Sequence, residues 1–396
     1  MIRLRNIGRL FTATASGVVE GASVIGSERI AWAGVEGNEP RELMEKVTDE
    51  HDCGGGLVTP GLIDAHTHPL YAGDRMAEAA MRSAGATYTE VAKAGGGIRA
   101  SVWATRSASA EALEAATAER LRKWFAGGAT TVEAKTGYHL EREGELEATR
   151  ILRRLSERTD LPRIEVTFLA AHSVPPEEPH QPDAYSKEVA GWCLDAKEAG
   201  ARFCDVFCDE GYFTVVQSRR VLKAGLAAGL IPRIHADEIA RTGGAKLAAE
   251  LHAASADHLL RAERKDAVAL AKAGVVATLA PVTALSMGKL PPVRELLEAG
   301  TVIALGTDHN PGTSGVTSMS LVVALAVSVL KLSVDRALIA ATVGGAYSLS
   351  LADRGSISIG LTADMVLWEA DHEGAFAWAY GLRPRSVWRA GALVEP

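Results

Sequence analysis

Between residues 59 and 354 the chain alternates short apolar segments with longer stretches in which apolar residues recur every three or four positions. The short segments are typical of buried β-strands and the longer stretches of amphipathic helices. Helices are predicted over Ala110–Phe125, Glu143–Ser156, Ser186–Ala199 and Val215–Ala228. Repeated strand–helix units build a parallel sheet covered by helices, so this part of the chain is predicted to have an α/β fold.

Eight of the apolar segments are candidate strands. In chain order they are Leu62–Ala65, Thr130–Glu133, Ile164–Phe168, Phe203–Phe207, Ile231–Ile234, Ser255–Asp257, Val275–Thr278 and Val302–Leu305. Eight strand–helix units close into a (β/α)8, or TIM, barrel. Functional side chains in such a barrel lie at the C-terminal ends of the strands, so the residues that follow each segment are the candidates for a functional site.

The two ends of the chain have a different pattern, in which short β-like runs are separated by glycine and other turn residues. Runs at 23–27, 29–33, 364–368 and 386–389 are predicted strands. We therefore predict a small β-sandwich domain formed from both ends, residues 1–58 and 355–396. A distorted (β/α)8 barrel is predicted over residues 59–354.

Charge and composition limit the partners and the location. The chain has 42 Lys and Arg against 49 Asp and Glu, a formal charge of −7, which offers no basic surface for nucleic acid or anionic lipid. Arginines interrupt the first eleven residues, so these form neither a signal peptide nor a membrane span. Four cysteines are too few and too irregularly spaced for a disulfide framework. Buried, reduced thiols and a cytoplasmic location are expected.

Candidate metal ligands follow three of the predicted strands. His66 and His68 come directly after the first strand, and residues two apart on an extended segment point to the same side. His235 follows the strand that ends at Ile234, and Asp308 follows the strand that ends at Leu305. Three imidazoles and one carboxylate suit zinc or ferrous iron better than magnesium, and they leave a position open for water and substrate.

Hydrolysis at such a centre needs a group that accepts a proton, because a metal lowers the pKa of water from 15.7 to about 7. Glu238 is the best candidate base, since it lies three residues after His235. His258, at the end of the next strand, is a candidate to polarise the substrate carbonyl or to stabilise its oxyanion. The alternatives are a solvated charge at a helix start for Glu238 and a buried structural histidine for His258.

This series of residues resembles the amidohydrolase superfamily, and within it the imidazolonepropionase family of histidine degradation. The narrower resemblance rests on seven strings that occur in the same order. They are Gly85-Ala-Thr-Tyr88, Gly95-Gly-Gly-Ile-Arg99, Lys135-Thr-Gly-Tyr138, Asp205-Val-Phe-Cys-Asp-Glu210, His235-Ala-Asp-Glu238, Ser255-Ala-Asp-His258 and Asn310-Pro-Gly312. The resemblance implies one zinc or iron ion per subunit. It also implies hydrolysis of the cyclic amide of 4-imidazolone-5-propionate to N-formimidoyl-L-glutamate by a metal-activated water.

The substrate implied by the resemblance carries a carboxylate, which needs a cationic partner. Arg75, seven residues after His68, is a candidate for a charge-assisted bidentate contact, and Tyr88 and Tyr138 are candidates for hydroxyl contacts. The resemblance adds further expected substrate contacts at His172, Glu238, Asn310, Gly312 and Thr313. Without it, Arg75 is an ordinary surface arginine and the two tyrosines are packing residues.

Three other functions remain open from the residues alone. A binuclear hydrolase needs a bridging carbamylated lysine, for which only Lys135 is a candidate, and it follows an early strand rather than the fourth. A mononuclear nucleobase deaminase shares the histidine, glutamate and aspartate series but does not need Arg75. A cyclic-amide hydrolase with another substrate is the third.

His309 stands at a position where many relatives have another residue, and its ring either tunes the metal or faces away from it. A homodimer is possible for a protein of this size.

Overall fold

The computed structural model describes residues 1–85, 90, 96–177 and 181–394. The strands are β1 Ile2–Phe11, β2 Val18–Gly26, β3 Ile30–Val35, β4 Asp49–Asp52, β5 Leu57–Pro60, β6 Leu62–Asp64, β7 Ala129–Lys135, β8 Arg163–Ala171, β9 Phe203–Cys208, β10 Ile231–Ala236, β11 Ser255–His258, β12 Val276–Leu279, β13 Ile303–Leu305, β14 Met365–Trp368, β15 Pro384–Arg389 and β16 Ala392–Val394.

The helices lie mainly between the strands of the middle region. They are α1 Arg41–Met44, α2 Met76–Ser83, α3 Ile98–Ser107, α4 Ala110–Arg122, α5 Arg142–Ser156, α6 Pro182–Glu198, α7 Val215–Ala227, α8 Gly244–Glu250, α9 Arg264–Ala273, α10 Pro281–Ser286, α11 Val293–Ala299, α12 Met319–Ser328, α13 Val334–Ile339, α14 Gly345–Ser348 and α15 Ala375–Trp378. A 3-10 turn covers Phe125–Gly127, and a π-helical turn covers Ala340–Gly344.

Strands β6 to β13 form one parallel sheet in chain order, and each pairs with the next. The sheet closes on itself because backbone groups just beyond β6 bond to the end of β13 and to the segment after it. Ala65 N–H donates to the Leu305 carbonyl at 3.1 Å, and His68 N–H donates to the His309 carbonyl at 2.8 Å. Each of the eight strands overlaps a segment predicted from the sequence. The predicted (β/α)8 barrel is therefore confirmed.

The barrel helices follow the apolar periodicity that predicted them. In α5 the buried positions Ala148, Ile151, Leu152 and Leu155 form one face, because they are spaced by three and four residues. In α7 the first turn is fixed by a capping box, in which Thr214 and Gln217 bond to each other's backbone N–H. These apolar faces pack against the outside of the barrel and leave the strand ends to carry polar groups.

Strands from both ends of the chain form a second sheet, which has the order β16-β15-β14-β5-β1-β2-β3, with β4 also paired to β1. Strand β5 links the two ends, since it pairs with β1 in parallel and with β14 in antiparallel orientation. The indole N–H of Trp368 on β14 donates to the Thr59 hydroxyl on β5 at 2.9 Å. The predicted small β domain built from both ends is thus confirmed, and its limits at 58/59 and 354/355 stay a prediction.

Two further expectations concern cysteines and membranes. Cys53, Cys193, Cys204 and Cys208 are all buried, free thiols, as expected from their irregular spacing. Among the residues that the structure describes, no helix has the length and apolar character needed to cross a bilayer.

Candidate active site

A cavity of about 670 Å³ opens at the C-terminal ends of the barrel strands. Most of the residues predicted to form the site line it: His68, Arg75, Tyr138, His172, His235, Glu238, His258, Asp308, Asn310, Gly312 and Thr313. His66 lies below them, and only 1% of it is exposed. Tyr88 lies outside the described residues. The barrel thus brings together side chains that are far apart in the sequence.

Four polar atoms converge at the bottom of this cavity. His68 Nε2 lies 3.3 Å from His66 Nε2 and 3.4 Å from His235 Nε2. Asp308 Oδ1 lies 3.4 Å from Nε2 of both His66 and His68. Two atoms that are bound to one zinc ion at about 2.0–2.1 Å and at a tetrahedral angle are about 3.3–3.4 Å apart. These four spacings and the donor types therefore fit a single zinc-sized divalent ion, and a ring nitrogen of His258 also lies within 4.8 Å of donor atoms of His66 and Asp308.

Two aspartates within the barrel orient two of these histidines. His66 Nδ1 lies 2.6 Å from Asp257 Oδ2, and His235 Nδ1 lies 3.1 Å from Asp205 Oδ2. Since a carboxylate accepts hydrogen bonds, the contact with Asp257 places the ring proton of His66 on Nδ1 and leaves its Nε2 facing the convergence point. The negative charge of Asp205 favours the same arrangement in His235. Neither aspartate is predicted as a functional residue from the sequence. Asp205 is an acidic residue inside an otherwise apolar strand, which was a signal, whereas the strand of Asp257 is mostly polar and offered none.

Asp308 is held by the loop that closes the barrel. The carboxylate of Asp64 accepts the backbone N–H of Thr307 at 2.9 Å, its hydroxyl at 2.6 Å and the indole N–H of Trp124 at 2.6 Å. Burial would raise the pKa of Asp308, but its contacts with the His66 and His68 imidazoles hold this pKa well below its usual range. Asp308 is therefore an anionic group among the imidazoles.

Glu238 and His258 lie beside the four converging atoms. Glu238 Oε2 is 3.7 Å from His258 Nε2, and Asp209 accepts the backbone N–H of Glu238 at 2.7 Å, which fixes the start of its loop. Burial, and then the nearby Asp308, raise the pKa of Glu238 to about 8. Burial lowers the pKa of His258 to about 3, so this ring is neutral at pH 7. A metal ion bound at the four converging atoms would place positive charge next to Glu238 and would thus favour its carboxylate form.

Backbone strain marks three of these strand ends. Asp237, His258 and Asp308 have φ values of 51°, 70° and 48°. These values lie in the left-handed region, which residues other than glycine rarely adopt. Residues held in such conformations cluster at functional sites, where the surrounding structure determines them. Here the turns redirect the chain at or shortly after the ends of β10, β11 and β13, the strands whose ends carry Glu238, His258 and Asp308.

Arg75 reaches the wall of the same cavity. Its guanidinium makes a bidentate contact with Glu78, from Nε at 2.8 Å and from Nη2 at 2.7 Å. A Cβ at Gly312 would lie 2.5 Å from Arg75 Nη1, so a side chain at this position would displace the guanidinium from its present place. The Asn310 side-chain oxygen accepts the backbone N–H groups of Gly312 and Thr313, both at 2.8 Å. The loop after β13 is thereby folded against Arg75.

His172 and Tyr138 form another part of the cavity wall. The rings of His68 and His172 are stacked, with centroids 5.1 Å apart and planes 17° apart. The Gly137 carbonyl lies 3.0 Å from His172 Nδ1, and burial lowers the pKa of His172 to about 3. Burial raises the pKa of Tyr138 well above its usual value, so its hydroxyl keeps its proton and can donate a hydrogen bond.

Lys135 and His309 were open questions from the sequence. Lys135 is fully buried and donates to Glu133 and Asp205, each at 2.8 Å, which holds its side chain as an ammonium in an ion-pair cluster. The ring nitrogens of His309 lie 3.1 Å from the Tyr71 hydroxyl and 3.2 Å from the Val316 carbonyl. Of the two alternatives for His309, the structure agrees with a ring that faces away from the four converging atoms.

Comparison with known proteins gives consistent matches. Residues 57–394 match the sequence profile of the amidohydrolase family. The chain is 42% identical over 386 residues to an imidazolonepropionase of Geobacillus kaustophilus, with 96% of this chain and 91% of that protein covered. It is 41% identical over 384 residues to an imidazolonepropionase of Cupriavidus pinatubonensis, with 96% and 90% covered.

Solved structures share the fold at low sequence identity. An atrazine chlorohydrolase of Arthrobacter aurescens, crystallised with zinc, aligns with a TM-score of 0.72 at 19% identity and covers 100% of this chain and 95% of its own. An adenosine deaminase of Xanthomonas campestris with bound zinc aligns with a TM-score of 0.72 at 17% identity, with 99% and 92% covered. At such identities the likeness concerns the fold alone.

Proposed function

Because this chain belongs to the amidohydrolase family and, within it, to the imidazolonepropionases, we propose that it hydrolyses the ring amide of 4-imidazolone-5-propionate to N-formimidoyl-L-glutamate. The observation that carries the proposal is the joint placement of a metal-binding donor set and a guanidinium in one cavity. A cyclic amide with a carboxylate arm needs both. A neutral nucleobase, the substrate of the rival deaminase function, needs no guanidinium.

One zinc or iron ion would be held by His66, His68, His235 and Asp308, whose donor atoms lie at the spacing described above. When bound, such an ion supplies a Lewis acid for the amide carbonyl and lowers the pKa of a water molecule. Imidazole and carboxylate ligands accept either metal, so elemental analysis of the purified protein is needed to identify which of the two ions it binds.

The chain's own residues would move the proton and orient the ring. Glu238 accepts the proton of the attacking water and returns it to the ring nitrogen as the carbon–nitrogen bond breaks, so the carbonyl carbon becomes a carboxylate and the nitrogen remains in the formimidoyl group. His258, neutral and beside Glu238, would bond to the carbonyl oxygen. Tyr138 and His172 would line the space around the substrate ring. Arg75 would hold the propionate carboxylate, assisted by the loop of Asn310, Gly312 and Thr313.

A direct assay tests this function. Purified full-length protein is mixed with 4-imidazolone-5-propionate that is generated enzymatically, and the loss of ring absorbance is followed with and without a chelator. We expect ring opening that depends on metal and gives a product heavier by one water molecule, without release of ammonia. Ammonia release would indicate a deaminase, and an unchanged ring would contradict the proposed substrate. A cytoplasmic location and a homodimer stay predictions.

Replacement of Arg75 tests the carboxylate contact. Arg75→Met is expected to raise KM for imidazolonepropionate by about 10- to 100-fold, because hydrogen bonds to a charged group contribute about 1.5–3 kcal/mol. It should change KM far less for an analogue that lacks the acid. Steady-state kinetics with both substrates measure this difference, and an equal rise for the two would rule out the contact.

The control for this variant concerns Glu78, whose carboxylate Arg75 neutralises. In Arg75→Met the carboxylate of Glu78 loses this partner and would repel an anionic substrate by itself. The double variant Arg75→Met/Glu78→Gln removes that repulsion. If KM returns to the wild-type value in the double variant, the effect came from Glu78 and not from the loss of the guanidinium.

A further inference from the structure

A cluster of buried charges lies within the barrel, below the proposed metal site. The side chains of Glu133, Lys135, Asp205, Arg233 and Asp257 are each at most 1% exposed. Lys135 Nζ lies 2.8 Å from Glu133 Oε1, 2.8 Å from Asp205 Oδ2 and 3.7 Å from Asp257 Oδ2. Because charges without partners are very unfavourable in such surroundings, this cluster fixes the position of each of its members.

Lys135 is close to both aspartates that orient the proposed metal ligands. The same oxygen of Asp205 that accepts from Lys135 faces His235 Nδ1 at 3.1 Å. The oxygen of Asp257 nearest to Lys135 faces His66 Nδ1 at 2.6 Å. The Lys135 ammonium group is therefore separated from each of two histidines, His66 and His235, by a single aspartate side chain.

The third histidine differs in this respect. Neither His68 Nδ1 nor His235 Nδ1 makes a hydrogen bond among the described residues, but His235 Nδ1 faces Asp205 Oδ2 at 3.1 Å, whereas the His68 ring stacks on His172. Two histidines thus face carboxylates of the buried cluster, whereas the third contacts a neighbouring ring. The orientation of His66 and His235 depends on where the aspartate oxygens are held. Lys135 donates to Asp205 at 2.8 Å and lies 3.7 Å from Asp257, which also accepts from Arg233 Nη2 at 3.3 Å.

We propose that Lys135 is a positioning residue for the metal centre: it holds Asp205 and Asp257 so that their oxygens turn Nε2 of His235 and His66 toward the metal. This inference rests on the proposed metal site. The role differs from that of a bridging carbamylated lysine, since Lys135 acts here as a cation and through other side chains. Groups that orient metal-bound histidines in this way commonly change metal affinity by about 10- to 100-fold when they are mutated.

Zinc affinity of the full-length chain provides the test. In Lys135→Met, a neutral side chain of similar length, the dissociation constant for zinc, measured by competition with a chromogenic chelator, is expected to rise by about 10- to 100-fold. The effects of Lys135→Met and Asp205→Asn should not add up in the double variant, because both act on the same contact with His235.

Arg354→Met is the matched control, since Arg354 is also a buried cation. Its Nη1 donates to Asp364 at 2.8 Å, and neither residue contacts a histidine of the site. This variant is expected to lower the melting temperature and leave zinc affinity unchanged. An equal loss of affinity in Arg354→Met, or wild-type affinity in Lys135→Met, would overturn the proposal.

Two further outcomes remain informative. If Lys135→Met does not fold, Lys135→Gln keeps a polar donor while it removes the charge, and the same rise is expected. If neither variant folds, Asp205→Asn carries the test, and unchanged zinc affinity in it would contradict the route through Asp205. A wild-type chain that binds no zinc or iron would instead contradict the proposed metal site itself.

Discussion

Glu238→Gln is expected to lower kcat for ring opening by about 100- to 10,000-fold, the range that a positioned general base contributes. The amide keeps the size of the side chain but cannot take a proton from water. Glu238 lies in the cavity beside His258, and its backbone is fixed by Asp209, so the replacement leaves the loop geometry in place. Steady-state kinetics, together with the metal content of the variant, measure the effect.

Two controls separate this role from a general disturbance. Glu210→Gln changes an exposed glutamate on a neighbouring strand end and should leave kcat near the wild-type value. The metal content of Glu238→Gln should equal that of the wild type, since Glu238 is not one of the four proposed ligands. A variant that loses metal together with activity would show Glu238 to be a ligand, and full activity would exclude it as the base.

His68→Asn is expected to remove both metal and ring opening, because Nε2 of His68 lies near Nε2 of His66, Nε2 of His235 and Oδ1 of Asp308. Chelation of the wild-type protein should have the same result, and activity should return on addition of zinc or ferrous iron. Elemental analysis and kinetics after each treatment measure the two losses. The ion that restores more activity identifies the preferred metal.

His172→Asn is the matched control for this change. His172 stacks on His68 and lines the same cavity, but its Nδ1 faces the Gly137 carbonyl. The variant is expected to keep its metal and to show mainly a higher KM. If His172→Asn lost metal as completely as His68→Asn, the metal loss would reflect disruption of the cavity, and His68 could not be assigned as a ligand on this evidence.

Much of the fold could be predicted because the barrel repeats a local pattern. Each strand is a short apolar run and each helix has an apolar face, and both patterns are visible within ten to twenty residues. The predicted segments Thr130–Glu133 and Ile164–Phe168 are longer in the structure, as β7 and β8. Strand ends depend on hydrogen bonds to a neighbouring strand, which a sequence pattern does not show.

The candidate site could be predicted where a residue follows its strand directly. His66 and His68 lie beyond the end of β6, yet they stay on one side because a β-bridge between Thr67 and His309 keeps this segment extended. The contact between Asp205 and Lys135 spans 70 residues, so no local pattern reveals it. The left-handed turns at Asp237 and His258 were equally invisible, since neither residue type requires such a turn.

Arg75 shows a third limit of the sequence. Its distance along the chain from His68 made it a candidate, but its contact with Glu78 and the space left by Gly312 depend on how α2 meets the loop after β13. The side chain of an arginine is long enough to reach several partners, so only tertiary packing decides among them. Specificity is therefore less readable from the sequence than the metal donors are.

The sheet shared by both chain ends has a consequence for synthesis. Thr59 on β5 bonds to Trp368 on β14, 309 residues further along the chain. At about 5–20 residues per second, a ribosome needs about 15–60 s to pass from one strand to the other. Throughout that interval the β5 edge lacks its β14 partner, and an open strand edge can pair with other chains. The barrel segments emerge first, and the composite sheet is completed only when β14 arrives.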